Sequence, residues 1–216
     1  MFLRAEMFSP KMAGARYRSF WEVKVDLFGE GEAALPFKAE PVSEALRRQF
    51  CVLVPGSKDV EGRQVVLITP GNLDKKMDRK LRARAVWYVL LAALEDEDTQ
   101  RRGICIVADL RTTKVTNLDT KMSKSVLGTH YRGALPLRVG AINLCYPPIV
   151  FKSFWAILRV FLHERVRRRI RVVSGTDQNV VEALRCIISP EDLPPPMGSK
   201  QTNFDCWLAD RVLAEG

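Results

Sequence analysis

Apolar residues dominate one stretch of the chain, which runs from Pro147 to Leu162 with the sequence PPIVFKSFWAILRVFL. The large apolar residues that recur there at helical spacing are Phe151, Phe154, Trp155, Leu158 and Phe161. A surface helix of a globular protein has one apolar face, whereas this helix would carry apolar groups on more than one side. It is shorter than the roughly 20 apolar residues that a membrane span requires. We therefore predict a helix that is buried, covers an apolar ligand or faces a membrane.

A basic run follows this stretch at once, with the sequence HERVRRRIR from His163 to Arg171. An apolar helix followed by arginines suits a membrane surface, because apolar burial and attraction to anionic lipid act together. A core helix followed by a solvated basic turn is the alternative, and the pattern leaves both open. The candidate membrane-contacting residues are Arg165, Arg167 and Arg168.

The rest of the pattern alternates between strand-like and helix-like segments from Gly62 onward. Continuous apolar or β-branched runs predict strands covered on both faces, as in a parallel sheet. The predicted strands are Cys51 to Val54, Gln64 to Thr69, Gly103 to Leu110, Val139 to Cys145 and Ile170 to Val173. The predicted helices are Lys11 to Phe28, Ser43 to Phe50, Asp74 to Asp96, Leu118 to Tyr131 and Thr176 to Ile188. This alternation predicts an α/β domain with a largely parallel sheet.

The charge of the chain points to an acidic partner. The 216 residues are 47% hydrophobic and 27% charged, which is a globular composition, and the formal net charge is +9. Nucleic acid, anionic lipid and phosphorylated ligands all suit such a surplus. The basic residues do not interleave with aromatic ones, and no zinc-finger or RRM signature is present. Nucleic-acid binding is therefore supported by charge alone.

No catalytic or metal-binding motif is evident. His163-Glu164 begins like HExxH, but Arg167 occupies the position of the second histidine. The GEGEAA segment at 29–34 matches GxGxxA, but a predicted helix precedes it and Pro36 follows it, so we predict a loop. The five cysteines are dispersed without a CxxC pair, which indicates free thiols and a cytoplasmic location. We expect no enzyme activity, no cofactor and no metal.

From Gly62 onward the ordered elements resemble the CRAL-TRIO lipid-binding domain. The matching segments are GRQVVLITPGNL, RRGICIVADLR, ALPLRVGAINLCYPPIVFKSFWAILRVFL, FLHERVRRRIRVVSG and CIISPEDLPPPMGSK. The resemblance implies a mixed, largely parallel sheet with flanking helices and an apolar ligand pocket, preceded by a short helical segment. The expected organisation is a helical segment at 1–50, the lipid-binding domain at 51–200 and a C-terminal tail at 201–216.

In that family one lipid lies between the floor of the sheet and a gate helix. The resemblance implies a gate formed by Phe151, Phe154, Trp155, Leu158 and Phe161. The implied floor residues are Ile104, Ile106, Ala108, Ile142 and Leu144, and the polar head-group candidates are Arg169, Thr112 and Thr113. An ordinary core role is the alternative for each apolar residue.

Two positions bear on the identity of the lipid. Family members that bind phosphatidylinositol carry a Glu after the proline of the ALP-like turn and a Lys before the following strand, where this chain has Leu137 and Arg169. Arginine binds phosphate, but leucine cannot accept a hydrogen bond from an inositol hydroxyl. Another glycerophospholipid or a different hydrophobic ligand is therefore equally open. The last glycine pair of the family pattern is Gly198-Ser199 here.

The function that we predict is the binding of a single lipid, and its exchange at membranes, by a monomeric, peripherally membrane-associated protein. One alternative is an interaction module that kept the fold and filled the pocket. The other is a basic nucleic-acid-binding protein.

Overall fold

The computed structural model describes residues 1–74, 76–114, 134–149, 164–195, 197–200 and 203–216, together with positions 151, 155, 156 and 160. Its five strands form one sheet in chain order: β1 Cys51–Lys58, β2 Gln64–Ile68, β3 Ile104–Asp109, β4 Val139–Cys145 and β5 Ile170–Val173. β1 pairs with β2 in the antiparallel sense, and the other neighbours are parallel. The predicted α/β class with a largely parallel sheet is therefore confirmed.

The helices in the described part of the chain lie before, between and after these strands. They are α1 Phe2–Ala5, α2 Pro10–Phe28, α3 Glu30–Ala33, α4 Ser43–Arg47, α5 Arg79–Ala93, α6 Glu97–Arg102, α7 Glu164–Arg167, α8 Asp177–Arg185 and α9 Phe204–Glu215. Short 3₁₀ turns occur at Glu40–Val42, Pro70–Asn72 and Pro190–Asp192. The predicted helix from Leu118 to Tyr131 lies outside the described residues.

Local signals explain where several helices begin and end. α2 ends where Gly29 adopts a φ of 85°, a conformation that favours glycine. α5 begins later than the predicted Asp74, because the Asp78 side chain accepts a hydrogen bond from the Leu81 amide at 2.9 Å and caps the helix there. Thr176 caps α8 through a capping box with Asn179.

Several segments differ from the prediction. Glu30–Ala33 is a short helix, α3, where a loop was predicted at 29–34. β1 continues to Lys58 rather than ending at Val54, with a register irregularity between Leu53 and Lys58. An edge strand tolerates Pro55 at such a place, because fewer ladder hydrogen bonds are required of it. Residues 204–215 form a helix where the sequence interpretation assigned only a tail, and Phe204 and Leu208 of this helix are buried against the main core.

The sheet has one core on each face. The first unites Val66, Ile104, Ile106 and Ile142 with apolar residues of α4, α5 and α9. The second unites Val65, Cys105, Val107 and Cys145 with Val180 and Leu184 of α8 and with Leu193 and Met197. Because side chains alternate along a strand, neighbouring residues of β3 and β4 belong to different cores.

Candidate functional site

The five predicted floor residues lie on one face of the sheet. Ile106 pairs with Ile142 in the cross-strand register, and Ala108 pairs with Leu144. Ile104, Ile106 and Ile142 are buried in the core that α5 covers. Ala108 and Leu144 lie nearer the carboxyl ends of their strands. Ala108 belongs to a separate small cluster, and Leu144 packs against both this cluster and the main core.

Two residues of the predicted gate, Phe151 and Trp155, cover the sheet at this end. Phe151 is buried in a cluster with Ala108 and Leu110, and Leu144 and Trp155 pack against this cluster. The rings of Phe151 and Trp155 stack with their centroids 6.0 Å apart. The structure therefore brings two gate residues onto two floor residues.

The apolar floor continues beyond this cluster onto β5. Leu144 pairs in register with Val172, so the two side chains lie side by side on the same face. Leu144 is half-buried and Val172 is 44% exposed, whereas Ala108 is buried. The protein thus covers this apolar row less completely toward its β5 edge.

The stretch from Pro147 to Leu162, here called the gate stretch, also exposes apolar groups to solvent. Phe151, Trp155, Ala156 and Val160 are helical, as predicted. Ile149 is 91% exposed and Val160 is 76% exposed, in contrast to the buried Phe151. Phe154, Leu158 and Phe161 lie outside the described residues. Among the described positions, the stretch carries apolar side chains both against the sheet and on the surface.

The polar candidates lie at opposite edges of the sheet. Arg169 precedes β5 at the amino edge of the parallel strands, where its exposed guanidinium donates a hydrogen bond to the Val139 carbonyl oxygen at 2.6 Å. Thr112 and Thr113 follow β3 at the carboxyl edge. β4 connects the two edges, and its seven residues span about 20 Å. The structure therefore does not bring Arg169 together with the two threonines.

Thr113 is nevertheless a distinctive polar residue. It is buried, and among the described residues its Oγ1 has no hydrogen-bond partner. Burying a hydroxyl without a partner costs about 1–3 kcal/mol. A polar group of a ligand at the carboxyl edge would remove that cost.

The arginine run is displayed at the amino edge. Arg167 ends α7, and Arg168 and Arg169 follow it before β5, all three exposed. Arg168 pairs with Glu164 at 2.5 Å across one helical turn. The side chain of Arg165 lies outside the described part of the structure. The described arginines present positive charge next to the end of the apolar stretch.

The sequence interpretation did not single out one buried basic residue on α5. Arg82 of α5 is buried and shares a helix face with Val86 and Val89, which belong to the floor-side core. The sequence could have indicated this burial, because Arg82 lies four residues before Val86 and seven before Val89.

A second polar cluster fixes the loops that follow β3 and β4. Asp109 accepts hydrogen bonds from the backbone amide and the guanidinium of Arg111, which raises the pKa of that guanidinium above its usual value. The guanidinium also lies 4.5 Å from the ring centroid of Tyr146. Burial raises the pKa of the Tyr146 hydroxyl further above neutral pH. This cluster positions the chain where the gate stretch begins.

Comparison with known proteins bears on this arrangement. The family model described as "CRAL/TRIO domain" matches residues 47–198. The chain is 27% identical over 194 residues to human tyrosine-protein phosphatase non-receptor type 9, covering 89% of this chain and 31% of that protein. It is 28% identical over 180 residues to human alpha-tocopherol transfer protein-like, covering 82% and 51%. Human clavesin-2 is 26% identical over 224 residues, with 99% and 64% covered.

A solved structure shares the fold. The crystal structure of Sfh5 superposes with a TM-score of 0.62 at 16% identity, covering 94% of this chain and 74% of that chain. The chain spans between about a third and two thirds of the length of the three relatives described above. None of the helices in the described part of the chain is both long and apolar enough to cross a membrane.

Proposed function

The chain belongs to the CRAL/TRIO domain family, and on this premise we propose that it binds a single lipid or other small hydrophobic ligand and exchanges it at membranes. The proposed ligand lies on the carboxyl half of the sheet, between the floor residues and the gate stretch. In this proposal the protein is a cytoplasmic monomer that associates peripherally with membranes and carries the ligand without catalytic activity.

The observation that carries this proposal is the two-sided character of the gate stretch. Phe151 packs on Ala108, while Ile149 and Val160 of the same stretch are exposed. Transfer of such exposed aliphatic side chains out of water is favourable by roughly 25 cal/mol for each Å² of apolar surface that is buried. A ligand beneath the stretch and a bilayer above it would use both sides.

The burial pattern supports a division of the predicted floor and gate residues into two groups. We assign Ala108, Leu144, Phe151 and Trp155 to direct ligand contact, with Val172 extending the row. Ile104, Ile106 and Ile142 support the floor from within the core. Phe154, Leu158 and Phe161 remain predicted gate residues.

The polar ends of the ligand space differ in chemistry. At the amino edge, Arg169 offers an exposed guanidinium suited to a phosphate. At the carboxyl edge, Thr113 offers an uncharged hydroxyl and Thr112 lies beside it. We propose that the polar group of the bound ligand lies toward Thr113, that Arg169 at the other edge binds a phosphate of the membrane, and that Leu137 favours a lipid other than phosphatidylinositol. The name of one relative, alpha-tocopherol transfer protein-like, refers to an uncharged lipid, so an uncharged ligand is the second candidate.

Mass spectrometry after organic extraction of the purified protein tests the proposal directly. The wild type should release an apolar ligand in stoichiometric amount and transfer lipid between vesicles. Trp155→Asp should lose both properties, because a carboxylate against acyl chains costs several kcal/mol. Val60→Asp is a matched control, since Val60 is exposed in the turn after β1 and has no assigned role.

Two outcomes would contradict the proposal. A folded protein that releases no apolar ligand and accepts none would show a filled pocket, and thus the interaction module. Strong binding to duplex nucleic acid without binding to vesicles would show that the net charge of +9 serves a different partner.

A further inference from the structure

The first twelve residues expose an unusual concentration of large apolar side chains. They form a helical hairpin, here called the amino-terminal hairpin, in which α1 is joined to the start of α2 by a turn at 6–9. Its exposed apolar residues are Met1, Leu3, Met7, Phe8 and Met12. Met7 and Phe8 form the tip and are 74% and 69% exposed.

The backbone of the tip is costly for these residue types. Met7 and Phe8 have φ values of 50° and 62°, in the left-handed region that favours glycine or asparagine. The turn is nonetheless closed by hydrogen bonds from the Phe8 amide to the Leu3 carbonyl at 2.7 Å and from the Ser9 amide to the Glu6 carbonyl at 3.0 Å. Two bulky apolar residues are therefore held in an unfavourable conformation and in water. Neither fold stability nor solubility explains them, which points to a function.

The hairpin is mounted on a rigid base. The ring of Phe2 lies 5.2 Å from that of Tyr17 and 5.4 Å from that of Phe20. Phe20 in turn stacks on the buried Trp87 of α5 at 5.5 Å. Arg4 donates a hydrogen bond to Gln100 of α6 at 2.5 Å. The tip thus has a fixed position relative to the sheet.

That position is next to the arginines at the amino edge. The Arg138 Nη1 lies 3.0 Å from the Met7 sulfur. Arg138 directly precedes Val139, whose carbonyl oxygen accepts the hydrogen bond from Arg169. Contacts therefore lead from the apolar tip through Arg138 to Arg169, which adjoins Arg167 and Arg168. The first 20 residues add to this charge with four basic residues and one acidic residue.

We propose that Met7 and Phe8 insert into an anionic bilayer while Arg138 and the arginines after the gate lie on its head-groups. Apolar insertion beside clustered positive charge is the combination that anionic lipid surfaces favour. The inference rests on the proposed function, because it adds a second membrane contact to that of the gate stretch. With two contacts, the sheet would have a fixed orientation on the membrane.

The test uses the double variant Met7→Asn/Phe8→Asn. Asparagine adopts the left-handed conformation more readily than methionine or phenylalanine, so the fold should be retained or stabilised. Co-sedimentation with anionic phosphatidylserine-containing vesicles should fall by roughly tenfold or more, since two large apolar groups are lost. Leu213→Asn is the matched control, because Leu213 is equally apolar and exposed but lies on α9. It should bind like the wild type.

The outcomes separate this inference from the proposed function. If the wild type binds vesicles and exchanges lipid but the double variant binds equally well, the tip does not insert and the proposed function stands. If the wild type carries no ligand and ignores vesicles, the proposed function itself fails. If the wild type forms a dimer without vesicles and the double variant does not, the tip is a contact between two copies and the membrane role is wrong.

Discussion

Replacing Val172 by aspartate tests whether the thinly covered end of the floor contacts a ligand. Val172 lies beside Leu144 on the floor face of β5, and 44% of it is exposed. The substitution introduces a carboxylate that water can still reach in the ligand-free protein. We therefore expect it to change the free energy of unfolding of that form by at most about 1 kcal/mol, the range of strand propensity and of ordinary surface substitutions.

The expected effect on the ligand is much larger. Completely burying a valine is worth about 1.5–3 kcal/mol, so covering its exposed 44% contributes about 1 kcal/mol. A carboxylate at the same place must be desolvated against the ligand, at a cost of several kcal/mol. Together these effects should weaken binding by roughly a hundredfold or more.

Two measurements on Val172→Asp test whether the ligand contacts this part of the sheet. Urea unfolding of the delipidated protein should show near wild-type stability, while ligand recovery and vesicle exchange should be lost. Val60→Asp, the same chemical change at an exposed position without an assigned role, should leave both unchanged. Full ligand occupancy in Val172→Asp would refute the placement of the ligand on this part of the sheet.

Three further predictions concern other parts of the molecule. Gly140→Ala should destabilise the protein by about 1–3 kcal/mol in urea unfolding, because a Cβ there would lie 2.4 Å from the Arg63 Cδ; an unchanged midpoint would contradict this. Arg167→Gln/Arg168→Gln should weaken binding to anionic vesicles about 30-fold at low salt, at about 1 kcal/mol per charge, and much less near 1 M salt. Equal losses on neutral vesicles would refute the electrostatic origin. Burial raises the pKa of the Cys51, Cys105 and Cys145 thiols to about 12, so these thiols ionise at lower pH in the unfolded chain than in the folded protein. The free energy of unfolding should therefore fall from about pH 9 upward, by up to about 1.4 kcal/mol per pH unit for each thiol. Replacing the three cysteines should flatten that slope when unfolding is measured between about pH 7.5 and 10.

The continuous apolar runs in the sequence predicted the sheet well, because strands of a parallel sheet are buried on both faces. β4 and β5 begin and end at the predicted residues, and β3 lies within the predicted Gly103–Leu110. β1 was predicted too short, since Pro55-Gly56 normally ends a strand and only an edge position tolerates it. α9 was missed, although Phe204, Leu208 and Val212 recur at helical spacing. A proline-rich segment precedes these three residues in the sequence, and such a segment is typical of a loop or a tail.

The candidate site was predictable in composition but less so in arrangement. Strand alternation placed the five floor residues on alternate positions, and the register put them on one face. The sequence could not indicate which of them α5 covers, because that depends on the path of a helix distant in the chain. The opposite positions of Arg169 and the two threonines do follow from the predicted parallel sheet, because Arg169 precedes a strand and the threonines follow one. Strand direction within the sheet separates them.

The direction of β4 and β5 also relates the proposed membrane contacts to one another. The two strands are parallel, so the chain that joins them must return from the carboxyl edge of the sheet to its amino edge. Ile149 is exposed where this return begins, and the arginines are exposed where it ends. The amino-terminal hairpin adds its apolar tip at the same end as the arginines, through the contact of Met7 with Arg138. Anionic lipid would therefore be held at the amino edge by charge and insertion together. Release of the ligand is expected at the carboxyl edge, where Val172 leaves the floor incompletely covered.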